Sequence, residues 1–182
     1  DAVLRIARGY VEAGATLIKT NSFGGSRLKL AGYGLEARCS ELNTAAAAIS
    51  REAAGPDRHV IASVGPTGKM LVMGDITEQE LYDVFAEQAI ALERGGADAC
   101  LVETMSAIDE ASIAIRAIRE NTKLETLCTF TFERNNRGEF RTMMGVSPSD
   151  MARELSLAGA DIIGTNCGNG MKPMVDIVKQ LR

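Results

Sequence analysis

Three segments of the sequence place a polar side chain seven positions after a glycine, and these side chains are the first candidates for chemistry. Aligned on their glycines, the segments bring three polar residues to one equivalent position: Asn21, Glu103 and Asn166. The residues that directly follow them are Ser22, Thr104 and Cys167. A carboxylate, two carboxamides, two hydroxyls and a thiol would therefore face a common pocket if the three segments are structurally equivalent. A deprotonated thiol is both a nucleophile and a metal ligand, which makes Cys167 the most reactive member of the set.

The elements that position these residues follow from the pattern around each glycine. Each segment comes after an amphipathic helical pattern, and glycine suits the left-handed position that ends a helix. The short apolar run that follows is typical of a strand buried on both faces. Residues 60–64 and 126–132 are two further predicted strands. Helices are predicted over residues 39–53, 78–94, 108–119, 148–157 and 173–181.

This alternation of helix and strand predicts a parallel sheet with helical crossovers. An open doubly wound sheet and an eight-fold barrel both fit. The dinucleotide-binding form of the open sheet needs a glycine-rich turn after its first strand, and residues 21–26 lack that motif. Polar residues at the ends of alternate strands favour the barrel, because strand ends converge at its mouth. We therefore predict an α/β protein of the (β/α)8 TIM-barrel class, carrying about five βα units, strands two to six.

Residues 1–182 are expected to form a single domain, a partial barrel truncated at both ends. The chain has 182 residues and 46% hydrophobic content, enough for one ordinary core. A complete barrel of this class usually needs about 250 residues. The sequence begins without Met, directly in a helical pattern, and stops inside another one.

Composition excludes several classes of partner. The net charge is −4, the 20 basic residues are spread along the chain, and there are few aromatic residues, so no nucleic-acid partner is expected. No apolar run approaches the roughly 20 residues that span a bilayer, so no membrane partner is expected either. The four scattered cysteines do not resemble a secreted disulfide framework. We expect a cytoplasmic protein that acts on a small molecule.

Five motifs, in order, resemble those of the homocysteine S-methyltransferase family. They are residues 20–24, 27–30, 64–68, 102–105 and 165–170, the last reading Thr-Asn-Cys-Gly-Asn-Gly. The similarity covers essentially the whole chain. It implies an eight-fold barrel whose zinc is held by three cysteines, one in the Asn-Cys motif and two adjacent ones near the last strand.

The resemblance assigns roles to individual residues. It makes Cys167 a zinc ligand, and because the sequence has no adjacent cysteine pair, two further cysteine ligands are expected outside this chain. Glu103 would bind the ammonium group of the substrate amino acid. Asn21, Thr104 and Asn166 would line the same pocket.

The other three cysteines are predicted to pack in the core, because free cysteine is among the most often buried residues. They are Cys39, Cys100 and Cys128.

The predicted function is zinc-dependent transfer of a methyl group to the thiol of homocysteine, which forms methionine. Coordination to zinc leaves a thiol as thiolate at neutral pH and so makes the nucleophile. The methyl donor stays open: a corrinoid or folate on another module or protein, betaine, or S-methylmethionine.

Three alternatives remain. One is a corrinoid-linked methyltransferase acting on another substrate. Another is a barrel lyase or aldolase that uses Lys19 as a Schiff base, although an ion-paired lysine is the more ordinary interpretation. The third is a non-catalytic barrel fragment. We expect the isolated chain to be inactive, and its uncovered sheet edges to favour association into a homo-oligomer.

Overall fold

A computed structural model describes residues 2–182 and shows helices alternating with strands. The α-helices are α1 Ala2–Glu12, α2 Arg27–Ala31, α3 Cys39–Ala54, α4 Glu78–Arg94, α5 Ile108–Asn121, α6 Pro148–Ala158 and α7 Met171–Leu181. The strands are β1 Leu17–Lys19, β2 His59–Val64, β3 Ala99–Met105, β4 Glu125–Phe130, β5 Glu133–Arg134, β6 Phe140–Arg141 and β7 Ile162–Thr165. Short 3-10 turns occupy Glu36–Arg38 and Leu71–Met73. Within this described range, no helix combines the length and apolarity that crossing a membrane requires.

The main sheet has five strands in the order β1-β2-β3-β4-β7, and every neighbouring pair is parallel. Each strand thus pairs with the strand of the preceding βα unit, and the order never reverses. A doubly wound sheet would contain such a reversal, whereas a barrel adds strands in one direction. The prediction of five βα units in a barrel-type α/β fold is confirmed.

The core lies between the helices and the outer face of this sheet. Because strand side chains alternate between two faces, every second residue of β3 points to the helices, and Cys100, Val102 and Met105 are fully buried, the last after an irregularity in the strand. Helix α4 contributes Phe85 and Leu92 to the same layer. Burying a side chain of this size contributes about 1.5–3 kcal/mol, so this layer dominates the stability of the fold.

Local signals explain where the helices begin and end. Thr77 accepts a hydrogen bond from the backbone N–H of Glu80, and the Glu80 carboxylate accepts one from the backbone N–H of Thr77, which completes the capping box at the start of α4. Ser147 caps α6, with Pro148 in its first turn. Gly159 ends α6 with φ 93°, the left-handed conformation predicted for the repeated glycine.

The amino-terminal rim of the sheet carries a repeated polar contact. Asp98 accepts a hydrogen bond from the backbone N–H of Val60 at 2.7 Å and pairs with Arg51. Burial raises the pKa of Asp98, but the Val60 hydrogen bond and Arg51 outweigh it and hold that pKa below its ordinary value. Asp161 repeats the arrangement two strands later in the sheet, just before β7. Its carboxylate accepts from the backbone N–H of Thr126 at 2.8 Å and pairs with Arg119 at 3.3 Å.

Three local features add to or differ from the sequence prediction. The exposed residues 134–139 lie in the antiparallel hairpin β5–β6 and its loop, which were not predicted and which the buried ring of Phe140 anchors. Helix α7 begins at Met171 rather than Pro173, since proline is tolerated in a first helical turn. Helix α2, which was not predicted, is capped by the side chain of Ser26.

Candidate functional site

Two strained residues mark the carboxyl ends of β3 and β7. Within residues 2–182, Thr104 and Cys167 are the non-glycine residues with positive φ, at 65° and 58°. A β-branched residue in this region is a genuine outlier, and such strain amounts to about 1–3 kcal/mol per residue. The hydroxyl oxygen of Thr104 lies 4.0 Å from the sulfur of Cys167. The strain is therefore concentrated at one point of the barrel mouth.

The side chain of Asn166 holds these two residues together. Its Oδ1 accepts hydrogen bonds from the backbone N–H of Thr104 at 3.1 Å and from the hydroxyl of Thr129 at 2.8 Å. Its Nδ2 donates to Thr104 Oγ1 at 2.8 Å and to Cys167 Sγ at 3.1 Å. These four contacts use both donors and both lone pairs of the amide. Asn166 thus positions its neighbours, and its predicted contact with substrate stays a prediction.

The loop that carries Cys167 is tied to the end of β4. The carbonyl of Asn166 accepts a hydrogen bond from the hydroxyl of Thr131 at 3.0 Å, and the amide of Asn169 donates to the carbonyl of Phe132. The thiol itself is exposed. A fixed backbone with an accessible sulfur suits a ligand or a reactive group better than a packing residue.

Glu103 is a buried carboxylate beside this pair of residues. It is 5% exposed, and its Oε1 and Oε2 accept hydrogen bonds from the Nζ of Lys19 at 3.1 and 3.2 Å. The hydroxyl of Ser63 also donates to Oε1. The ion pair expected for Lys19 is confirmed, but this lysine is half-exposed rather than part of the core. Its engagement with a carboxylate differs from the desolvated apolar setting of Schiff-base lysines.

Asn21 is separate from this hydrogen-bonded group in the described chain. It is exposed at the end of β1, beside a cavity of about 510 Å³ that Leu17 and Tyr10 also line, and no hydrogen bond joins its side chain to Glu103, Thr104 or Cys167 in the described chain. Its predicted contact with the substrate stays a prediction.

The neighbours of Asn21 face the sheet instead. Thr20 and Ser22 are buried and hydrogen-bonded to each other, and Ser22 donates to the carbonyl of Ser63 at 2.7 Å. Ser63, which the sequence analysis missed, connects this group to Glu103. A single serine inside the otherwise apolar run of residues 60–64 was the available signal.

A second cavity of about 660 Å³ opens beside Thr104, between the loop after β2 and the loop after β6. Met70 and Met144 contribute to its apolar wall. The buried Glu110 lies at its base, where its carboxylate accepts from the backbone N–H and the hydroxyl of Thr67 at 2.8 and 2.7 Å. Burial raises the pKa of Glu110 above its ordinary value. Sequence analysis missed Glu110, although an acidic residue on an apolar helix face was a signal.

The donors among the described residues do not by themselves make a zinc site. Among residues 2–182, no three His, Cys, Asp or Glu side chains are grouped closely enough to hold a metal ion. The buried state predicted for Cys39, Cys100 and Cys128 is confirmed, and burial raises the pKa of both Cys39 and Cys100 to about 12. Those thiols therefore stay protonated. Among the four cysteines, Cys167 alone offers an accessible thiol, which fits one ligand of a tetrahedral site and not the whole set.

The chain is similar to known proteins in both sequence and structure. The family model described as homocysteine S-methyltransferase matches residues 1–182. The methionine synthases of Mycobacterium tuberculosis and Mycobacterium leprae are 30% and 28% identical over 192 residues, covering 100% of this chain. The chain spans only 16% of the length of each of these relatives.

Among solved structures, the metallated form of the Escherichia coli homocysteine methyltransferase MmuM superimposes with a TM-score of 0.82. The match covers 98% of this chain and 66% of that one at 21% identity, so it supports the shared fold alone. Because the family model matches the whole length of the sequence, the chain belongs to the homocysteine S-methyltransferase family.

Proposed function

We propose that this protein transfers a methyl group to the thiol of homocysteine, giving methionine, with zinc as the metal. The contact network of Asn166 carries the proposal. It fixes the exposed thiol of Cys167 beside Thr104, the residue that follows the buried carboxylate of Glu103. A cysteine that could hold a thiol-binding metal and a carboxylate that could bind an ammonium group lie at one barrel mouth. This combination suits a small amino acid whose side chain carries a thiol.

Glu103 would bind the ammonium group of the substrate. Its carboxylate is buried and hydrogen-bonded, so it can accept a hydrogen bond from a cationic group. Hydrogen bonds between charged groups are stronger than those between neutral ones. Thr104, whose hydroxyl and N–H are both held by Asn166, would form the wall between this ammonium and the sulfur of Cys167.

Cys167 would be one of three cysteine ligands of zinc, the other two coming from residues that are not among these 182. When bound, zinc keeps a coordinated thiol deprotonated and leaves a position for the sulfur of the substrate. The residues present here supply the position of the first ligand. Asn166 Nδ2 donates to that sulfur, a contact of the kind that orients a metal ligand.

The test is methionine formation by the zinc-loaded gene product that carries these residues, with homocysteine and a panel of donors: a methylated corrinoid, a methylated folate, betaine and S-methylmethionine. Cys167→Ser should lower the rate by more than about 100-fold, because a hydroxyl is a poor zinc ligand. Cys128→Ala, which alters a buried thiol, is the control and should keep the rate of the folded protein. No methionine with any donor, or an unchanged rate in Cys167→Ser, would contradict the proposal.

We further predict that residues 1–182 alone bind zinc weakly, because one thiolate cannot complete a tetrahedral site. Metal analysis after dialysis should find far less than one zinc per chain. Stoichiometric zinc that disappears in Cys167→Ala would contradict this prediction and would require ligands other than those described above.

A further inference from the structure

Lys19 occupies an unusual place for an ion-paired residue. It ends the edge strand β1, where it lies level with Ile61 of β2, and its side chain crosses β2 to reach Glu103 on β3. Its side chain is 53% exposed, whereas that of Glu103 is 7% exposed. The Lys19 ammonium is therefore the accessible member of the pair, and the Glu103 carboxylate is the buried one.

The pair retains hydrogen-bonding capacity on both partners. The ammonium of Lys19 has three donors, and within the described chain its contacts are the two oxygens of Glu103. The Oε1 of Glu103 accepts from Lys19 and from Ser63, but Oε2 accepts from Lys19 alone. One donor of the cation and one lone pair of the anion thus remain available, side by side at the mouth of the barrel.

This arrangement is complementary to the head of an amino acid. A zwitterion carries an ammonium and a carboxylate on one carbon, so it can place each charge against the opposite charge of the pair. The Glu103–Lys19 pair neutralises itself when no ligand is bound, which avoids an unpaired buried carboxylate. The next residue after Glu103 is Thr104, whose hydroxyl approaches the Cys167 sulfur, so a short thiol side chain would extend toward that sulfur.

Building on the proposed function, which supplies an α-amino acid substrate, we propose that Lys19 binds the α-carboxylate of that substrate while Glu103 binds its ammonium group. Lys19 is then a substrate-binding residue that selects amino acids over simple thiols. This role differs both from a Schiff base and from an ion pair within the protein, because neither of those involves the carboxylate of a substrate.

The experiment measures dissociation constants by titration calorimetry with the zinc-loaded gene product. The three probes are L-homocysteine, 3-aminopropane-1-thiol, which lacks the carboxylate, and 4-sulfanylbutanoate, which lacks the ammonium. Lys19→Met should weaken homocysteine binding roughly 10- to 100-fold, the range expected for losing a charge-assisted hydrogen bond. The same variant should bind 3-aminopropane-1-thiol as well as the unchanged protein does, or more tightly.

Controls separate binding from folding. Lys123→Met removes an exposed lysine at the opposite rim of the sheet and should change none of the three constants. Lys19→Arg keeps the charge and should restore part of the lost affinity for homocysteine. Glu103→Gln should weaken 3-aminopropane-1-thiol and leave 4-sulfanylbutanoate nearly unchanged.

Two outcomes overturn the inference in distinguishable ways. If Lys19→Met weakens homocysteine and 3-aminopropane-1-thiol equally, Lys19 acts only by positioning Glu103, and the proposed function stands without this inference. If the unchanged protein binds none of the three thiols, the proposed function fails, and the assignment of Lys19 fails with it.

Discussion

The two rims of the sheet come from the same repeated segment, but they differ in how their polar groups are used. At the amino-terminal rim, Asp98 and Asp161 each bond the backbone of the preceding strand and pair with an arginine. At the carboxyl-terminal rim, Thr104 and Cys167 are strained. One rim satisfies its polar groups within the protein, while the other presents a thiol and a partly available carboxylate. In barrels the first pattern serves stability and the second serves chemistry.

Among the changes that test this contrast, the largest effect is expected at Asn166, because this residue supports both the stability of the fold and the geometry of the site. Asn166→Ala leaves the Thr104 N–H and the Thr129 hydroxyl without their acceptor, and should destabilise the fold by about 1–3 kcal/mol. It also frees the Cys167 turn, so methyl transfer should fall roughly 10- to 100-fold. Urea unfolding and the methionine assay measure the two effects.

Asn166→Asp is the matched variant for that prediction, since it keeps both acceptor positions and loses the donors to Thr104 Oγ1 and Cys167 Sγ. It should recover most of the stability and little of the activity. Equal recovery of both would show that the donors to the site are dispensable.

The next effect is expected at the amino-terminal rim and should touch stability alone. Asp98→Ala removes the acceptor for the backbone N–H of Val60, which is buried, and should lower the free energy of unfolding by about 1–3 kcal/mol. The activity per folded molecule should not change. Asp98→Asn keeps an acceptor and should lose less; a drop in activity at full stability would erase the proposed difference between the rims.

A smaller effect of opposite sign is expected from relieving strain at the mouth. Cys167→Gly removes the side chain that disfavours a φ of 58°, and should raise the free energy of unfolding by up to about 1 kcal/mol while abolishing zinc binding. Thermal unfolding of this variant beside Cys167→Ser, which keeps the strain, isolates the backbone contribution. Lower stability in Cys167→Gly than in Cys167→Ser would mean that the turn is unstrained.

The smallest effect concerns pH and Glu110. Burial raises the pKa of this carboxyl, so its ionisation opposes folding: its contribution to stability is full below the ordinary glutamate value of about 4.3 and is lost as the pH rises through the raised pKa. Glu110→Gln keeps an acceptor for Thr67 and should abolish this loss. As the pH rises across that window, the free energy of unfolding of the variant should therefore rise relative to that of the unchanged protein. Parallel curves would refute the assignment.

Sequence reasoning located the strands because glycine-terminated helices and apolar runs are local signals. It also brought Thr104, Asn166 and Cys167 to one rim, since parallel strand ends converge. It could not distinguish Asn166, whose amide is used up inside the protein, from Asn21, which is exposed, because that difference depends on contacts between distant strands. The hairpin β5–β6 was missed for a similar reason: its one buried anchor, Phe140, stands in a run of polar residues.

The strand order has a consequence for how the site comes apart. Glu103 lies on β3, which is paired on both sides, whereas Cys167 follows β7, an edge of the described sheet where Ile162 is 54% exposed. Local opening in proteins begins where few contacts protect the backbone. In the isolated 182-residue chain, the amides of β7 should thus exchange with solvent before those of β3. In that isolated chain the sulfur side of the site would separate first, leaving the carboxylate that recognises the amino acid in its native place.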